Sequence, residues 1–353
     1  MKLLSVVGAR PQFVKIAPLH REISKRNHLH HFILHTGQHY DFNLSEVFFR
    51  ELEIPKPSFH LEVNERSLAS STEIIQKKIE AILEIERPDI VIVLGDTNST
   101  LAGALASKNF NIKLAHIEAG LRSFNNSMPE EKNRVATDRI SDFLFCPTTE
   151  AVNNLMRERL NTNRRILLSG DVMLDAYNFF SKKIERTTSL IIPDEPFILC
   201  TLHRQGLVQS RDKLSEVVKA LNEINGQIPI ILPAHPRLRL VINEFGLRPH
   251  FKIIEPVGYL NMLALIKACN LVMTDSGGLQ KEAFFSKKIC ITLRDETEWT
   301  ELVQAHVNFI AGDSSSEKII DTFKKSLDIQ GSFDDKFYGE GNASEIIVKE
   351  LIS

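Results

Sequence analysis

The chain has 353 residues, more than one ordinary hydrophobic core encloses, so two domains are expected. Hydrophobic residues make up 43% and charged residues 25%, the proportions of a globular protein, and no apolar run is long enough to cross a bilayer. The formal net charge of -2 leaves no basic field to hold a phosphate backbone, so nucleic acid is not an expected partner.

The chain opens with M-K-L-L-S-V-V-G-A-R, which has neither the apolar core nor the cleavage site of a signal peptide; a cytoplasmic location is expected. Cys146, Cys200, Cys269 and Cys290 are far apart and form no C-x-x-C, so they are expected to pack in the core of a reduced protein rather than bind zinc or form disulfides.

A β-rich run from Lys2 to Val7 ends at Gly8, and Pro11 suits the first turn of a helix reaching about Arg26. Arg10 and Lys15 stand at the front of that helix, where free N–H groups and the dipole already favour an anion. The loop is not G-x-G-x-x-G, which argues against a nicotinamide or flavin dinucleotide. H-F-I-L-H-T-G is the second strand. His35 and His39 flank Gly37 across its end and so do not share a helix face as a metal-binding pair would.

A long amphipathic helix is predicted from about Ser67 to Glu86, with Ile74, Ile75, Ile79, Ile82 and Leu83 as core. Strands at Ile90–Leu94 and Lys113–Ile117 bracket a helix over Ser99–Lys108, with links short enough for right-handed parallel crossovers. The first strand runs into G-D-T-N-S-T, where Asn98, Ser99 or Thr100 can cap the helix; the second runs into Glu118 and Gly120. P-E-E then opens another helix with Glu130. Asp96, Glu118 and Glu130 are thus delivered to loop positions at the carboxyl ends of strands, where an α/β sheet binds its ligand. Strands at Phe143–Cys146 and Arg165–Ser169 complete a first Rossmann-like, doubly wound domain over residues 1–180.

Residues 181–196 mix charge, threonine and proline and are expected to be a hinge. Strand and helix alternation then restarts, predicting a second doubly wound domain over 197–340, with a last helix in 341–353 that returns to the first domain. In T-D-S-G-G-L-Q-K-E-A a strand ends at Thr274, Gly277 and Gly278 allow close approach of a ligand, and the opening helix offers free N–H groups to a phosphate. Glu282, one turn in, is placed to accept hydrogen bonds from ribose hydroxyls, and Arg294 ends the next strand with a cation. His203, a lone histidine after a strand, has by itself a structural reading, as has His235 between two prolines.

Two such domains facing a cleft, one with carboxylates and cations and the other with an anion-binding helix start, suit a nucleotide-sugar enzyme working by proton transfer and C–O cleavage. Taken in order, G-A-R-P-Q-F-V-K, L-G-D-T-N-S-T, H-I-E-A-G-L-R, P-E-E-K-N-R, T-L-H-R, T-D-S-G-G-L-Q-K-E-A and L-R-D-E-T-E-W resemble the non-hydrolysing UDP-N-acetylglucosamine 2-epimerase family. The resemblance implies the glycosyltransferase-B arrangement and inversion at C2 of a UDP-linked 2-acetamido sugar, through elimination of UDP to a 2-acetamidoglucal and re-addition. It implies a homodimer, with no metal and no cofactor. It also implies that Asp96, Glu118, Glu130 and His203 are catalytic and that Arg10, Lys15, Ser276, Gly277, Gly278, Glu282 and Arg294 bind substrate and UDP.

G-A-R-P-Q, H-T-G-Q-H-Y-D and S-F-N-N-S-M-P-E-E are more similar to the branch acting on UDP-2,3-diacetamido-2,3-dideoxyglucuronate, so the sugar stays open between the two. After His203-Arg204 the chain reads Q-G-L-V-Q-S-R, a departure from the family pattern. A glycosyltransferase of the same architecture remains as an alternative, as does a catalytically silent UDP-sugar binder.

Overall fold

The computed structural model of the protein describes residues 1–37, 49–61, 63, 68–184, 192–329, 331–333 and 335–353. His39, Ser67 and residues 185–191 of the expected hinge lie outside the described residues. The chain divides into two units, Met1–Phe179 with Asp335–Ser353, and Phe180–Asp334.

In the first unit seven strands form one sheet in the order β3-β2-β1-β4-β5-β6-β7: β1 Lys2–Val7, β2 His30–His35, β3 Phe59–His60, β4 Ile90–Leu94, β5 Lys113–Ile117, β6 Phe143–Cys146 and β7 Arg165–Leu168. Every pairing is parallel. The central strands are apolar on both faces because helices cover both, and β4 is buried along its whole length. Strand order reverses between β1 and β4, so the loops after these two strands diverge and leave a crevice at their carboxyl ends.

The crossovers include α1 Arg10–Ser24, α2 Leu68–Glu86, α3 Asn98–Asn109, α4 Pro129–Ile140, α5 Thr149–Arg157 and α6 Val172–Phe180. Helix α1 begins one residue before Pro11, which a proline in the first turn permits. In α2 the buried stripe is Ile75, Ile79 and Leu83, four residues apart, with Ile82 partly packed. Ile74, expected in the core, is 46% exposed because it stands one position, about 100°, round the helix from that stripe. Helix α3 is capped by Thr97, whose hydroxyl accepts from the Thr100 amide at 3.2 Å, rather than by Asn98, Ser99 or Thr100. The terminal helix α14, Ala343–Leu351, packs on α1, and Asp175 accepts from the amides of Ala343 and Ser344 at 3.0 and 2.7 Å, satisfying its orphan donors.

The second unit repeats the design with six parallel strands in the order β10-β9-β8-β11-β12-β13: β8 Ile198–Thr201, β9 Ile230–Pro233, β10 Lys252–Ile254, β11 Leu271–Thr274, β12 Ile289–Thr292 and β13 Asn308–Ile310. Its helices include α7 Gln205–Val208, α8 Arg211–Asn225, α9 Pro236–Glu244, α10 Tyr259–Ala268, α11 Gly277–Phe285, α12 Thr300–Gln304 and α13 Ser316–Leu327. The core joins Ile198 and Cys200 of β8 to Leu214, Val217 and Leu221 of α8 and to Ile319 and Phe323 of α13. Here the reversal falls between β8 and β11, so the loops carrying His203 and Ser276 are the ones that diverge. His235 caps α9, its Nδ1 accepting from the Arg237 amide at 3.3 Å. All four cysteines are free and buried.

Candidate functional site

In the first unit the two loops of the switch point are tied together by Gln12, a fully satisfied buried amide. Its Oε1 accepts from the Gly8 and Ala9 amides at 2.7 and 3.0 Å, and its Nε2 donates to the Leu94 carbonyl at 2.8 Å and the Thr100 hydroxyl at 3.1 Å. A Cβ on Gly8 would come within 2.2 Å of Ser99 Oγ and 2.3 Å of Thr36 Oγ1, so only glycine lets the loop lie this close. Arg10 follows as the first residue of α1, half-buried, and Lys15 is buried one turn further on.

Lys15 Nζ forms an ion pair with Glu118 just beyond β5, and the two side chains are only 10% and 9% exposed. Glu118 has φ 70°, a left-handed conformation uncommon for a residue with a side chain, and such strain gathers at functional positions. Gly95, at φ +68°, makes room for the pair: a Cβ there would stand 3.2 Å from both Glu118 Oε2 and Lys15 Nζ. Next in the chain is Asp96, 30% exposed, whose carboxylate pairs with Arg134 of α4. Arg134 also reaches Glu131 at 3.1 Å, and Asn133 Nδ2 donates to the Asp96 carbonyl at 3.0 Å. Glu131 is buried and accepts from the amides of Ser123 and Phe124 at 2.9 and 3.1 Å, fastening the loop between Glu118 and α4. Glu130 is half-buried in the first turn of α4; among the described residues its carboxylate has no ion pair or hydrogen bond.

In the second unit the centre is Asp275, fully buried just after β11. One oxygen accepts from the amides of His203 and Arg204 at 2.8 and 2.9 Å, and the other lies 2.7 Å from His203 Nδ1. The Asp275 charge raises His203 above the ordinary imidazole value, against burial, which opposes it. Burial works to raise the Asp275 carboxyl, but His203 and the two amides prevail and hold it below the usual carboxylate range. The His203 side chain is 56% exposed, with Nδ1 on Asp275.

Helix α11 starts beside it. Ser276 caps the helix through the Leu279 amide at 3.3 Å, and Ser276, Gly277 and Gly278 are half-exposed. A Cβ on Gly277 would lie 2.7 Å from Glu298 Oε1, and Trp299 Nε1 donates to the Gly277 carbonyl at 3.0 Å. Arg294, 5% exposed, stands 3.1 Å from Glu298 in an ion pair; among the described residues none of its side-chain nitrogens makes a well-formed hydrogen bond, so the guanidinium keeps donor capacity for an anion. Gln280 is fully buried and accepts from Thr297 Oγ1 at 2.7 Å and Asn308 Nδ2 at 2.8 Å, holding the loop after β12. The buried Lys281 ammonium lies 4.1 Å above the Trp299 ring, and Glu282, 6% exposed, follows it.

Asp96, Glu118, Arg10 and Lys15 therefore stand at the carboxyl end of the first sheet, with Glu130 at the start of the helix that answers Asp96. His203, Ser276, Gly277, Gly278 and Arg294 stand at the carboxyl end of the second, with Glu282 a turn into α11. Sequence reasoning missed Gln12, Glu131, Arg134, Asp275 and Gln280, the residues that hold those side chains in place. The signal for Asp275 was available: a carboxylate between an apolar strand and Ser-Gly-Gly has few uses but loop anchoring. Among the described residues no group of three or more histidine, cysteine or carboxylate side chains is placed to hold a metal.

A sequence model of the family described as UDP-N-acetylglucosamine 2-epimerase matches residues 21–352. The chain is 45% identical to the UDP-2,3-diacetamido-2,3-dideoxy-D-glucuronate 2-epimerase of Pseudomonas aeruginosa, over 99% of each chain. It superposes with a TM-score of 0.93 on a crystal structure of the Methanocaldococcus jannaschii UDP-GlcNAc 2-epimerase in complex with UDP-GlcNAc and UDP, at 39% identity and covering 100% of this chain and 99% of that one. A spinosyn rhamnosyltransferase, at 13% identity and a TM-score of 0.55 over 100% of this chain and 96% of the other, shares the glycosyltransferase-B-like fold alone. By sequence and by fold, the chain belongs to the UDP-N-acetylglucosamine 2-epimerase family.

Proposed function

We propose that the protein interconverts UDP-N-acetylglucosamine and UDP-N-acetylmannosamine by eliminating UDP and adding it back. The observation that carries this reading is the pair of carboxylates at the carboxyl ends of β4 and β5, each set against its own cation: Asp96 on Arg134 and Glu118 on Lys15. A single base suffices for group transfer to an acceptor. Epimerisation removes the C2 proton from one face and returns one to the other, which calls for acid–base groups on both.

The C2 proton is not acidic until the C1–O bond breaks. As it breaks, the electron pair goes to the diphosphate, and His203, the Arg294 guanidinium and the amides opening α11 stabilise that charge. A carboxylate among Asp96, Glu118 and Glu130 then takes the C2 proton, C1=C2 forms, and the product is a 2-acetamidoglucal. In the return step a proton is delivered to the opposite face of C2 while a diphosphate oxygen bonds to C1. Arg10 and Lys15 add positive charge for the departing diphosphate, and Glu282 is suited to accept from ribose hydroxyls. The reaction needs no metal and no redox cofactor.

A second reading, 2-epimerisation of UDP-2,3-diacetamido-2,3-dideoxyglucuronate, is favoured by the 45% identity to the Pseudomonas aeruginosa enzyme of that name. The chemistry at C1 and C2 is the same. A cytoplasmic homodimer completes the proposal: four free, buried cysteines suit a reducing compartment, and the dimer rests on family resemblance. Proton NMR in deuterium oxide with each UDP-sugar tests the reading. The manno isomer carrying deuterium at C2 is expected with at least one of them; no isomer and no deuterium uptake with either would refute it.

A further inference from the structure

Beneath the carboxylates of the first unit lies a buried polar group that no step of the proposed reaction uses. His116, in β5, is fully buried in a strand whose other buried residues, Leu114, Ala115 and Ile117, are apolar. Its Nδ1 is 2.7 Å from Asp138 Oδ1 and its Nε2 is 2.7 Å from the Gly95 carbonyl oxygen. A carbonyl can only accept, so Nε2 is the donor toward Gly95, while Nδ1 faces the Asp138 carboxylate. The second Asp138 oxygen accepts from the Gly120 amide at 3.1 Å and from Arg122 Nη1 at 2.7 Å. Arg122 in turn makes a bidentate pair with Glu158 at 2.7 and 2.9 Å.

Burying charged groups in this way is a poor route to stability, because desolvation offsets much of the attraction and apolar residues of similar volume often serve as well. What the arrangement provides is position. Gly95 immediately precedes Asp96 and lies where an added Cβ would meet the Lys15–Glu118 pair; Gly120 follows Glu118 by two residues. One imidazole held at both ends and one carboxylate held at both oxygens thus connect the turn after β4 with the turn after β5.

We infer that His116 and Asp138 are positioning residues that clamp the Gly95 and Gly120 turns, and so set the separation of Asp96 and Glu118 on which the epimerase reaction depends. The inference rests on the proposed function, since it assigns those two carboxylates their work. A misplacement of the order of 1 Å at such groups costs roughly 100-fold in rate. Most of the assigned UDP contacts, Ser276, Gly277, Gly278, Glu282 and Arg294, belong to the second unit and lie outside the clamp, with Arg10 and Lys15 added from the first.

The test compares the native enzyme with His116→Phe, measuring epimerisation of the two UDP-sugars named above, UDP affinity, and backbone amide exchange over the Gly95 and Gly120 turns. His116→Phe is expected to keep its circular dichroism and UDP affinity, to exchange faster at both turns, and to lose kcat by roughly 100-fold with little change in KM. His116→Gln, which restores a donor, is expected to recover part of the protection and of the rate. Native kcat or native exchange in His116→Phe would overturn the clamp. Should His116→Phe fail to fold, Asp138→Asn, of the same volume, carries the test: lowered kcat with retained UDP affinity supports it, and unchanged kcat refutes it. A native enzyme without C2 exchange would defeat the proposed function and this inference with it. An active native enzyme with unaffected variants would defeat the clamp alone.

Discussion

Gly95→Ala should separate the geometry of the carboxylates from the binding of the nucleotide. Gly95 has φ +68°, and an L-residue in this left-handed region carries a penalty of about 1–2 kcal/mol. Relaxing to negative φ would swing the peptide away from two partners, the Ile117 carbonyl that accepts the Gly95 amide at 3.0 Å and the His116 Nε2 that donates to its carbonyl at 2.7 Å. Each lost buried bond costs about 1 kcal/mol or more, so the turn is better off staying strained. The added methyl then stands 3.2 Å from Glu118 Oε2 and Lys15 Nζ, both ends of flexible side chains, which yield by a few tenths of an ångström. Stability should therefore fall by only about 1–2 kcal/mol in urea, while turnover falls roughly 10- to 100-fold because the Glu118 carboxylate is the atom displaced. Gly206→Ala is the control, since its Cβ would meet nothing within 4 Å in α7; it should leave turnover unchanged and raise stability by at most about 1 kcal/mol. If Gly95→Ala matched Gly206→Ala in both measurements, the strained turn would not govern the site.

Three further outcomes are expected. Asp96→Asn, Glu118→Gln and Glu130→Gln should each lower kcat by roughly two powers of ten or more with native circular dichroism, and near-native rates in all three would refute the acid–base assignment. The His31 ring, between Ser5 Oγ at 2.8 Å and His20 Nδ1 at 2.9 Å, is lowered to about 3, first by burial and then by the neighbouring His20. Its folded value lies below the unfolded 6.5, so the unfolded chain binds more protons and stability declines as pH falls from 6.5 toward 3. At pH 5.5 the loss is about 1 kcal/mol; urea midpoints for His31→Gln should show a shallower pH slope over that window, and an unaltered slope would count against the buried neutral ring. His203 is shifted the other way: its pairing with Asp275 contributes fully below 6.5 and is lost as pH rises through the higher folded value. Imidazole proton NMR should show Asp275→Asn titrating at lower pH than the native protein, with activity falling earlier on the alkaline side; coincident titration curves would remove Asp275 as the cause.

What the sequence made legible follows from what has a period or a punctuation mark. Apolar runs ended by Gly8, Gly95 and Gly120 announced parallel strands, and the polar residues after them announced the ligand end of each sheet. The stripe in α2 was read one residue too wide, because Ile74 is as apolar as Ile75 and only the direction of the core distinguishes them. The cap of α3 was misplaced among four consecutive polar residues, each chemically able to cap, since φ and ψ decide which one does. The supporting shell escaped for a different reason. Gln12 joins Leu94 and Thr100, 82 and 88 residues away, and Asp138 reaches His116 across 22; nothing local marks such pairs. His116 was the nearest to a visible signal, a histidine inside L-A-H-I, whose burial demands partners that the strand itself does not hold.

The pairing of Asp96 and of Glu118 with a cation bears on how one chain can run both halves of the reaction. A carboxylate strong enough to take the C2 proton must also let a proton go to the other face, and the environment of each has to differ for the two faces to be distinguished. Here the environments do differ. Glu118 is enclosed with Lys15, strained and 9% exposed, whereas Asp96 is 30% exposed and held by an Arg134 that is itself shared with the buried Glu131. Arg134 cannot give up its charge, while a lysine ammonium can pass a proton, so Lys15–Glu118 is the pair able to act as a relay and Arg134–Asp96 the pair that keeps a fixed charge. Lys15→Arg distinguishes these roles. Charge and ion pair are retained, yet a relay through Lys15 would be lost, and kcat should drop while UDP affinity holds; a fully active Lys15→Arg enzyme would reduce Lys15 to a counter-charge.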